Sequence, residues 1–303
     1  MNAKPKVYII VLNYKNYSDT IECLESLLKL RYPNKEIIVV DNSSPNDSGK
    51  YLEEWVSKNE EQPIQFILNN INLGYAGGNN TGIRRALQDS NMRFVWILNN
   101  DTIVDENALD ALVQKMGENP RIGVCGSKLI YNWDKNRIQG YGGIYNKWLG
   151  TVGTIKNENE IYKMDYVIGA SMLIRREVLT SIGLLGEDYF LFFEELDYAQ
   201  RIKGKFLMTC ACDSVVFHKE GASIGAQAGN PQKNSYISDY YTIRNRILIT
   251  EKYFPYCLPT VYLGLFIAIF NRIRRKQYDR IKMIINLMLH RNGKVSCKMN
   301  LNS

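Results

Sequence analysis

The stretch FVWILNND, residues 94–101, decides the fold and locates the candidate site. Its five leading apolar residues predict a buried strand, and the polar Asn99-Asn100-Asp101 predicts a loop at the end of that strand. In sheets of parallel strands, ligands bind at the carboxyl edge. A carboxylate flanked by amides at that edge suits a hard divalent cation such as Mg²⁺ or Mn²⁺. The stretch alone fits a simple turn equally well, because Asn and Asp favour turn geometry.

Strand-like and helix-like segments alternate on both sides of this stretch. Such alternation predicts an α/β fold with a mainly parallel sheet and right-handed crossovers. The predicted strands are 7–12, 36–40, 64–68, 94–98, 122–131 and 166–174, with helices over 19–28, 49–58, 81–88, 106–116 and part of 190–203, and with 132–165 irregular or hairpin-like.

Length and composition limit the class of protein. A chain of 303 residues that is 45% hydrophobic and 23% charged can form one large domain with a substantial core, or one domain and an appendage. Its six cysteines show no metal or redox spacing, so we expect reduced thiols in a cytoplasmic protein. The apolar run at 7–12 is too short for a signal peptide.

The positive charge of the chain is concentrated at its C-terminus. Residues 271–303 hold nine Lys or Arg and one acid, and since the whole chain is +7, the remainder is near −1. The main body therefore does not resemble a nucleic-acid binder. The apolar run 258–270 before the basic residues is too short to span a bilayer, and it predicts a segment lying on an anionic membrane. The alternative is a C-terminal core helix with a solvated basic end. We expect a main domain over 1–235 and a helical, basic extension over 236–303.

Two further polar segments follow predicted strands. Asp41 could accept a hydrogen bond from a nucleotide base or ribose, or it could cap a helix or form a turn. The segment 72–80 contains Gly74, Gly77 and Gly78 and predicts a loop whose backbone N–H groups approach a ligand closely, although a plain turn is an equal alternative. Its spacing is neither that of a dinucleotide-binding motif nor that of a P-loop.

An acidic cluster begins a predicted helix. Glu194, Asp197 and Arg201 share one helical face, on which Asp197 and Arg201 can pair. Glu195 lies off that face and has no basic residue four positions later, so it could hold a raised pKa and act as a general base. The alternative is stabilisation of a helix N-terminus by acidic residues.

His218 ends the apolar run 215–217. A histidine at a sheet edge is a candidate cation ligand, and a structural role is the alternative.

Six motifs in order together resemble glycosyltransferase family 2, and more narrowly its bacterial rhamnosyltransferase-like branch. The resemblance covers about residues 5–250 and implies a GT-A fold: a mixed, mainly parallel sheet flanked by helices, with a nucleotide-sugar donor at its carboxyl edge. The motifs are VVDNSS (39–44), NLGYAGGNN (72–80), LNND (98–101), GAS (169–171), FEELD (193–197) and FHK (217–219).

The resemblance implies a role for each matching residue. Asp41 would contact the donor's base, and Asp101 would be the metal-binding acid of the family's DxD motif, where Asn99 replaces the first acid. His218 would complete the metal shell, and Glu195 would be the catalytic base. The implied donor-binding residues are Asn13, Asp41, Ser43, Asn72, Gly74, Gly78, Asn80, Asn100 and Asp101, and those on the acceptor side are Gly169, Ala170 and Glu194.

The implied activity is inverting transfer of a sugar from a UDP- or dTDP-sugar to a glycan or lipid-linked acceptor, in surface polysaccharide synthesis. A divalent cation, Mg²⁺ or Mn²⁺, would assist, and the protein would be cytoplasmic and peripheral at the inner face of the membrane. A nucleotidyltransferase would carry a glycine-rich motif after its first strand, where this chain has Asn13-Tyr-Lys-Asn-Tyr17. The remaining alternative is a non-catalytic subunit that binds nucleotide sugars.

Overall fold

A nine-stranded sheet organises the residues described by the computed structural model, 4–219 and 235–289. Two further strands form a separate hairpin. In chain order the strands are β1 (Lys6–Asn13), β2 (Lys35–Asp41), β3 (Ile64–Leu68), β4 (Met92–Asn99), β5 (Thr102–Val104), β6 (Ile122–Tyr131), β7 (Ile138–Gly140), the hairpin strands β8 (Gly142–Asn146) and β9 (Thr151–Ile155), β10 (Ser171–Arg175) and β11 (Leu207–His218).

Strand order places the candidate residues at one edge of the sheet. The order is β3-β2-β1-β4-β10-β6-β11-β5, with β7 paired to β6. Strands β1 to β4, β6 and β11 run parallel, whereas β5, β7 and β10 run antiparallel. The start of β10 therefore lies beside the carboxyl end of β4 and beside Gly126 in the middle of β6. This confirms the predicted α/β class with a mixed, mainly parallel sheet.

Helices cover both faces of the sheet because its central strands are apolar on both faces. In β1, Val7, Ile9 and Val11 face one core, and Tyr8 and Ile10 face the other. Helices α1 (Tyr17–Leu28), α2 (Ser48–Ser57) and α4 (Ala108–Glu118) cover the first face, while α3 (Gly74–Leu87), α5 (Arg176–Ile182) and α6 (Glu194–Ile202) cover the second.

Three helices follow the sheet: α7 (Tyr236–Tyr253), α8 (Leu258–Arg274) and α9 (Tyr278–Leu289). They pack on one another through their own apolar cluster, which includes Ile247, Leu265 and Ile284. Ile249 of α7 also packs with Phe193 and other residues of the main body. The predicted domain boundary at 235 adjoins residues 220–234, which lie outside the described residues. The basic residues at 291, 294 and 298 also lie outside them.

The apolar C-terminal segment is longer than the sequence indicates. Its helix continues to Arg274, and Pro255–Arg274 has the length and hydropathy of a membrane span, with 17% of the apolar window buried. Among the described residues it is the one such stretch, and length and composition alone qualify it. The expectation that this segment is too short to span a bilayer was wrong, because the helical stretch extends beyond 258–270 at both ends.

Candidate active site

Asp41 and Asn13 form the first part of the site, where β1 and β2 end side by side. Both are buried, and Asn13 Nδ2 donates a hydrogen bond to Asp41 Oδ1 at 2.6 Å. The backbone N–H of Ser44 donates to Asp41 Oδ2 at 2.9 Å, and the Ser44 hydroxyl donates to Oδ1 at 2.7 Å. Ser43 between them has a left-handed backbone, with φ +57°. The Asp41 carboxylate is thus fixed in place at the sheet edge.

Asn42, which sequence analysis missed, links this part to α3. Its Nδ2 donates to Asn72 Oδ1 at 2.8 Å and to the carbonyl of Gly74 at 3.0 Å, while its Oδ1 accepts from Asn69 Nδ2 at 3.1 Å. Asn72 Oδ1 also accepts from the Gly74 N–H at 2.9 Å. Asn72 therefore connects Asn42 to the start of α3. A buried amide after β2 was the available signal, since buried polar groups need partners.

The predicted glycine loop at 74–80 is instead the first two turns of α3, so that prediction was wrong. Packing overrides the low helix propensity of glycine here. At Gly74 φ is +72°, and a Cβ would lie 2.4 Å from the Phe190 carbonyl; at Gly78 a Cβ would lie 2.5 Å from Leu12. Asn80 Nδ2 donates to the carbonyl of Leu185 at 3.0 Å. These residues hold α3 tightly against the core.

Asp101 and His218 form the second part. Residues that are far apart in sequence meet because β5, which follows Asp101, pairs with the end of β11. Asp101 Oδ1 lies 3.2 Å from His218 Nε2, and His218 Nδ1 lies 2.9 Å from Oε1 of buried Gln139. Burial acts to raise the pKa of Asp101, but His218, the Asp101 backbone and Lys219 together outweigh it, so the pKa is lowered. The side chain of the neighbouring Asn100 is engaged in a hydrogen bond, in which Nδ2 donates to Thr20 Oγ1 at 2.9 Å.

This pair fits a divalent cation that takes its other ligands from a bound phosphate or from water. Within residues 4–219 and 235–289, no group of three or more His, Cys, Asp or Glu could hold a metal. Mg²⁺ commonly binds one or two carboxylates together with substrate phosphates. Asn99, which replaces an acid, has a buried Oδ1 without a hydrogen-bond partner. That oxygen is an acceptor still available to a ligand.

The acidic pair Glu194–Glu195 forms the third part, at the start of α6. Glu194 is 4% exposed, and each residue has a buried Oε2 without a hydrogen-bond partner. Burial, and then the charge of Glu195, raise the pKa of Glu194 well above its usual range. Burial also raises the pKa of Glu195, against its own backbone N–H and Glu194. Of the two carboxyl groups, Glu194 has the more strongly raised pKa.

Tyr75 of α3 lies between the second and third parts. Its buried hydroxyl donates to the carbonyl of Gly169 at 2.7 Å. Burial, and then the charges of Glu194, Glu195 and Asp101, raise the pKa of Tyr75. The Tyr75 N–H also donates to the carbonyl of Phe190 at 2.6 Å, so Tyr75 connects Gly169 to the turn that precedes the acidic pair.

The predicted acceptor-side residues Gly169 and Ala170 are at the same place. The Ala170 carbonyl accepts from the Asn99 N–H at 3.0 Å, at the end of β4. Gly169 and Ala170 therefore lie beside the end of β4, next to the segment that carries Asp101.

A strained turn positions the acidic pair. Phe190, Phe192 and Phe193 have φ of +61°, +67° and +71°, and such left-handed conformations cost roughly 1–2 kcal/mol per residue. Asn245 of α7, fully buried, donates to carbonyls in this turn. The aromatic run gave no indication of this strain, and Asn245 lies fifty residues beyond Glu195 in the sequence.

Asp197 and Arg201 pair as the helical spacing predicts, with Arg201 Nε donating to Asp197 Oδ2 at 2.8 Å. Asp197 is fully buried and also bound by Lys252 and Tyr253 of α7. It stabilises α6 and is separate from the unpaired Glu194–Glu195 oxygens.

Curated relatives of this chain are glycosyltransferases. It is 25% identical over 250 residues to the low-salt glycan biosynthesis hexosyltransferase Agl10 of Haloferax volcanii, with 81% of this chain and 76% of the relative covered. It is 27% identical over 177 residues to the poly-beta-1,6-N-acetyl-D-glucosamine synthase of Staphylococcus epidermidis, with 57% of this chain and 40% of the synthase covered. The chain thus spans well under half of that synthase.

Solved structures share the fold. A mannosyltransferase from Pyrobaculum calidifontis in complex with GDP-Man and Mn²⁺ matches with TM-score 0.60 and 14% identity, covering 95% of this chain and 86% of that one. GalNAc-T7 with UDP, GalNAc and Mn²⁺ matches with TM-score 0.65 and 16% identity, covering 85% and 50%. The fold is GT-A.

The family model described as "Glycosyl transferase family 2" matches residues 8–183, which include Asp41 and Asp101. With its curved sheet, its acid at the end of β4 and its glycosyltransferase relatives, this chain belongs to glycosyl transferase family 2 and is a glycosyltransferase that acts on sugar donors for glycan synthesis.

Proposed function

We propose that this chain transfers a sugar, with inversion, from a nucleoside-diphosphate donor to a hydroxyl of a glycan or lipid-linked acceptor. The observation that carries the proposal is that Tyr75 bonds Gly169 beside the end of β4 and Phe190 in the turn before Glu195, and so connects the Asp101–His218 pair to a glutamate whose buried Oε2 has no hydrogen-bond partner. An inverting reaction needs a base on one side of the sugar and charge stabilisation on the other. This arrangement supplies both.

Donor binding would begin at the edge of β1 and β2. Asp41 is held by Asn13 and Ser44, so its carboxylate is already oriented to accept an N–H of a uracil or thymine base. Ser43, in its left-handed turn, would lie beside the nucleoside. The neighbouring structures carry GDP-Man or UDP, which supports a nucleotide-sugar donor here. We propose a UDP- or dTDP-sugar.

The base in this mechanism is Glu195. It takes the proton from the acceptor hydroxyl as that oxygen forms a bond to the anomeric carbon, and the bond from this carbon to the diphosphate breaks. A Mg²⁺ or Mn²⁺ ion held by Asp101 and His218 would neutralise the charge that develops on the leaving diphosphate. Glu194, whose pKa is raised by burial and by the charge of Glu195, would be the group of the pair that keeps its proton. The mechanism forms no covalent enzyme intermediate.

We further propose that residues 1–235 form the catalytic domain, and that the C-terminal extension brings it to an anionic membrane on the cytoplasmic side. The exposed face of α8 carries Leu263, Phe266, Ile267 and Phe270, each more than half exposed. Exposed Arg274, Arg275 and Lys276 follow and make no ion pair within the described part of the chain. Apolar area beside unpaired cations suits an anionic lipid surface. A lipid-linked acceptor would be found there.

The decisive experiment replaces Glu195 by Gln. Glu195→Gln removes the proton acceptor and keeps the shape, so we expect turnover to fall about 10²- to 10⁴-fold. Release of nucleoside diphosphate from UDP-glucose, UDP-N-acetylglucosamine and dTDP-rhamnose with Mn²⁺ measures turnover, and calorimetry with UDP or dTDP measures binding, which should persist. The control is Glu177→Gln, at an exposed glutamate of α5. Near-normal turnover of Glu195→Gln would exclude Glu195 as the base, and absence of turnover in the unmodified chain would favour a non-catalytic subunit.

A further inference from the structure

Asn245 connects α7 to the turn that precedes the acidic pair. Its side chain is fully buried, and Nδ2 lies 2.9 Å from the carbonyl of Tyr189, 2.7 Å from that of Leu191 and 2.9 Å from that of Phe192. An amide group has two N–H donors, so three carbonyls share them. One side chain thus binds three carbonyls in and next to the turn.

Other contacts hold the same turn from both sides. The Phe190 carbonyl accepts from the Tyr75 N–H of α3 at 2.6 Å, and the Phe190 ring stacks on Tyr241 of α7 with centroids 4.8 Å apart. Arg244 donates to the Asp188 carbonyl at 2.9 Å. A turn with three left-handed non-glycine residues persists only when its surroundings fix it. Here α7 supplies most of that fixation.

A second attachment lies two helical turns further along α7. Lys252 Nζ donates to Asp197 Oδ1 at 2.6 Å, and the Tyr253 hydroxyl donates to the same oxygen at 2.8 Å. Seven residues make two turns, so Asn245 and Lys252 lie on one face of α7. One face of α7 therefore holds both the turn and the helix α6 that follows it.

We propose that Asn245 is a positioning residue for Glu195, fixing the strained turn 190–193 so that the carboxylate points to the acceptor. This inference rests on the proposed function, in which Glu195 is the base. Glu195 lies two residues after Phe193, so any relaxation of the turn moves its carboxylate directly. The C-terminal helices are then part of the catalytic apparatus in addition to carrying the membrane-facing surface.

Asn245→Asp tests this with almost no change in side-chain volume. The substitution removes the N–H donors and places a carboxylate against carbonyl oxygens, so the turn should relax. We expect kcat for nucleoside-diphosphate release from the best of the three donors named above to fall about tenfold to a hundredfold. KM for the donor and affinity for UDP or dTDP should stay within about twofold, because Asp41 and Asp101 are untouched. Asn245→Ser keeps one hydrogen-bond donor, so its kcat should lie between those of Asn245→Asp and the unmodified chain.

The pH profile separates positioning from general loss of stability. Burial raises the pKa of Glu195, so activity falls on the acidic side at a higher pH than for an exposed glutamate. If the relaxed turn exposes Glu195 in Asn245→Asp, its pKa drops and the acidic limb moves to lower pH. Mere loss of folded protein lowers the rate at every pH and leaves the midpoint unchanged. Asn271→Asp, at an exposed asparagine of α8, is the matched control.

Unchanged kcat and an unchanged acidic limb in both Asn245 variants would overturn the inference. An activity loss without movement of the limb would also overturn it, since that result indicates a structural role only. These outcomes can be told apart from a failure of the proposed function. If the proposed function fails, Glu195→Gln itself stays active. If Glu195→Gln is inactive and the Asn245 variants are fully active, only the positioning role of Asn245 is excluded.

Discussion

Single side chains in this site gain their chemistry from what surrounds them. The pKa of buried Asp101 is lowered with His218 beside it, whereas burial raises the pKa of Glu195. Two carboxyl groups of the site thus have pKa values shifted in opposite directions. We assign the cation to the first carboxylate and the proton transfer to the second on this basis.

Gln139 offers a test of the cation site that leaves the proposed ligands intact. It contacts His218 Nδ1, and partners of this kind typically contribute tenfold to a hundredfold in metal affinity. We expect Gln139→Leu to raise the Mn²⁺ concentration that gives half-maximal turnover about tenfold. Gln114→Leu, at an exposed position of α4, is the control. An unchanged Mn²⁺ requirement would indicate that His218 does not bind the cation.

The sequence predicts which residues lie at strand ends better than it predicts the contacts of buried amide side chains. Asn13, Asp41 and Asp101 lie at the predicted edge because apolar runs mark the strand ends clearly. Asn42, Gln139 and Asn245 were not foreseen. Their roles depend on pairings between distant segments, which no local pattern records.

Among the elements, α3 differs most from its prediction. Four glycines in the helix reflect how closely it approaches its neighbours and do not indicate a flexible loop. At Gly82 a Cβ would lie 2.6 Å from Cγ2 of Ile10, a fully buried β-branched residue of β1. The glycine-rich sequence of α3 thus allows the helix to pack closely on the strand.

A pair of glycine substitutions tests this account of α3. Gly82→Ala should destabilise the protein by about 1–3 kcal/mol, because Ile10 cannot rotate away from the added methyl group. Gly117→Ala in α4, where a Cβ would meet nothing within 4 Å, should instead stabilise it by about 0.5–1 kcal/mol. Denaturant unfolding measures both. Equal effects at the two positions would refute the packing explanation.

In the whole molecule, charge and apolar area are distributed unevenly. The main body is close to neutral, while the described C-terminal helices expose an apolar face followed by basic residues. Arg272 and Arg280 are exceptions, since both pair with the buried Asp239. Arg274, Arg275 and Lys276, which lie between these two arginines, are available to an anionic partner.

Vesicle binding tests the membrane surface of the whole molecule. We expect the full chain to sediment with phosphatidylglycerol vesicles at low salt, and less at high salt or with phosphatidylcholine alone. Phe266→Gln combined with Phe270→Gln should reduce this binding about tenfold or more, because both rings are exposed and would leave water on insertion. Leu207→Gln, exposed at the opposite edge of the sheet, is the control. Equal binding by the double variant and the unmodified chain would contradict the assignment.

The antiparallel direction of β10 has a consequence for how such enzymes diversify. Since β6 and β10 run in opposite directions, the hairpin β8–β9 between them leaves the sheet and the chain re-enters it directly after Gly169 and Ala170. This hairpin lies outside the pairing of β1 with β2. If Gly169 and Ala170 contact the acceptor as proposed, changes in the hairpin would alter acceptor preference without altering the strands proposed to face the nucleotide.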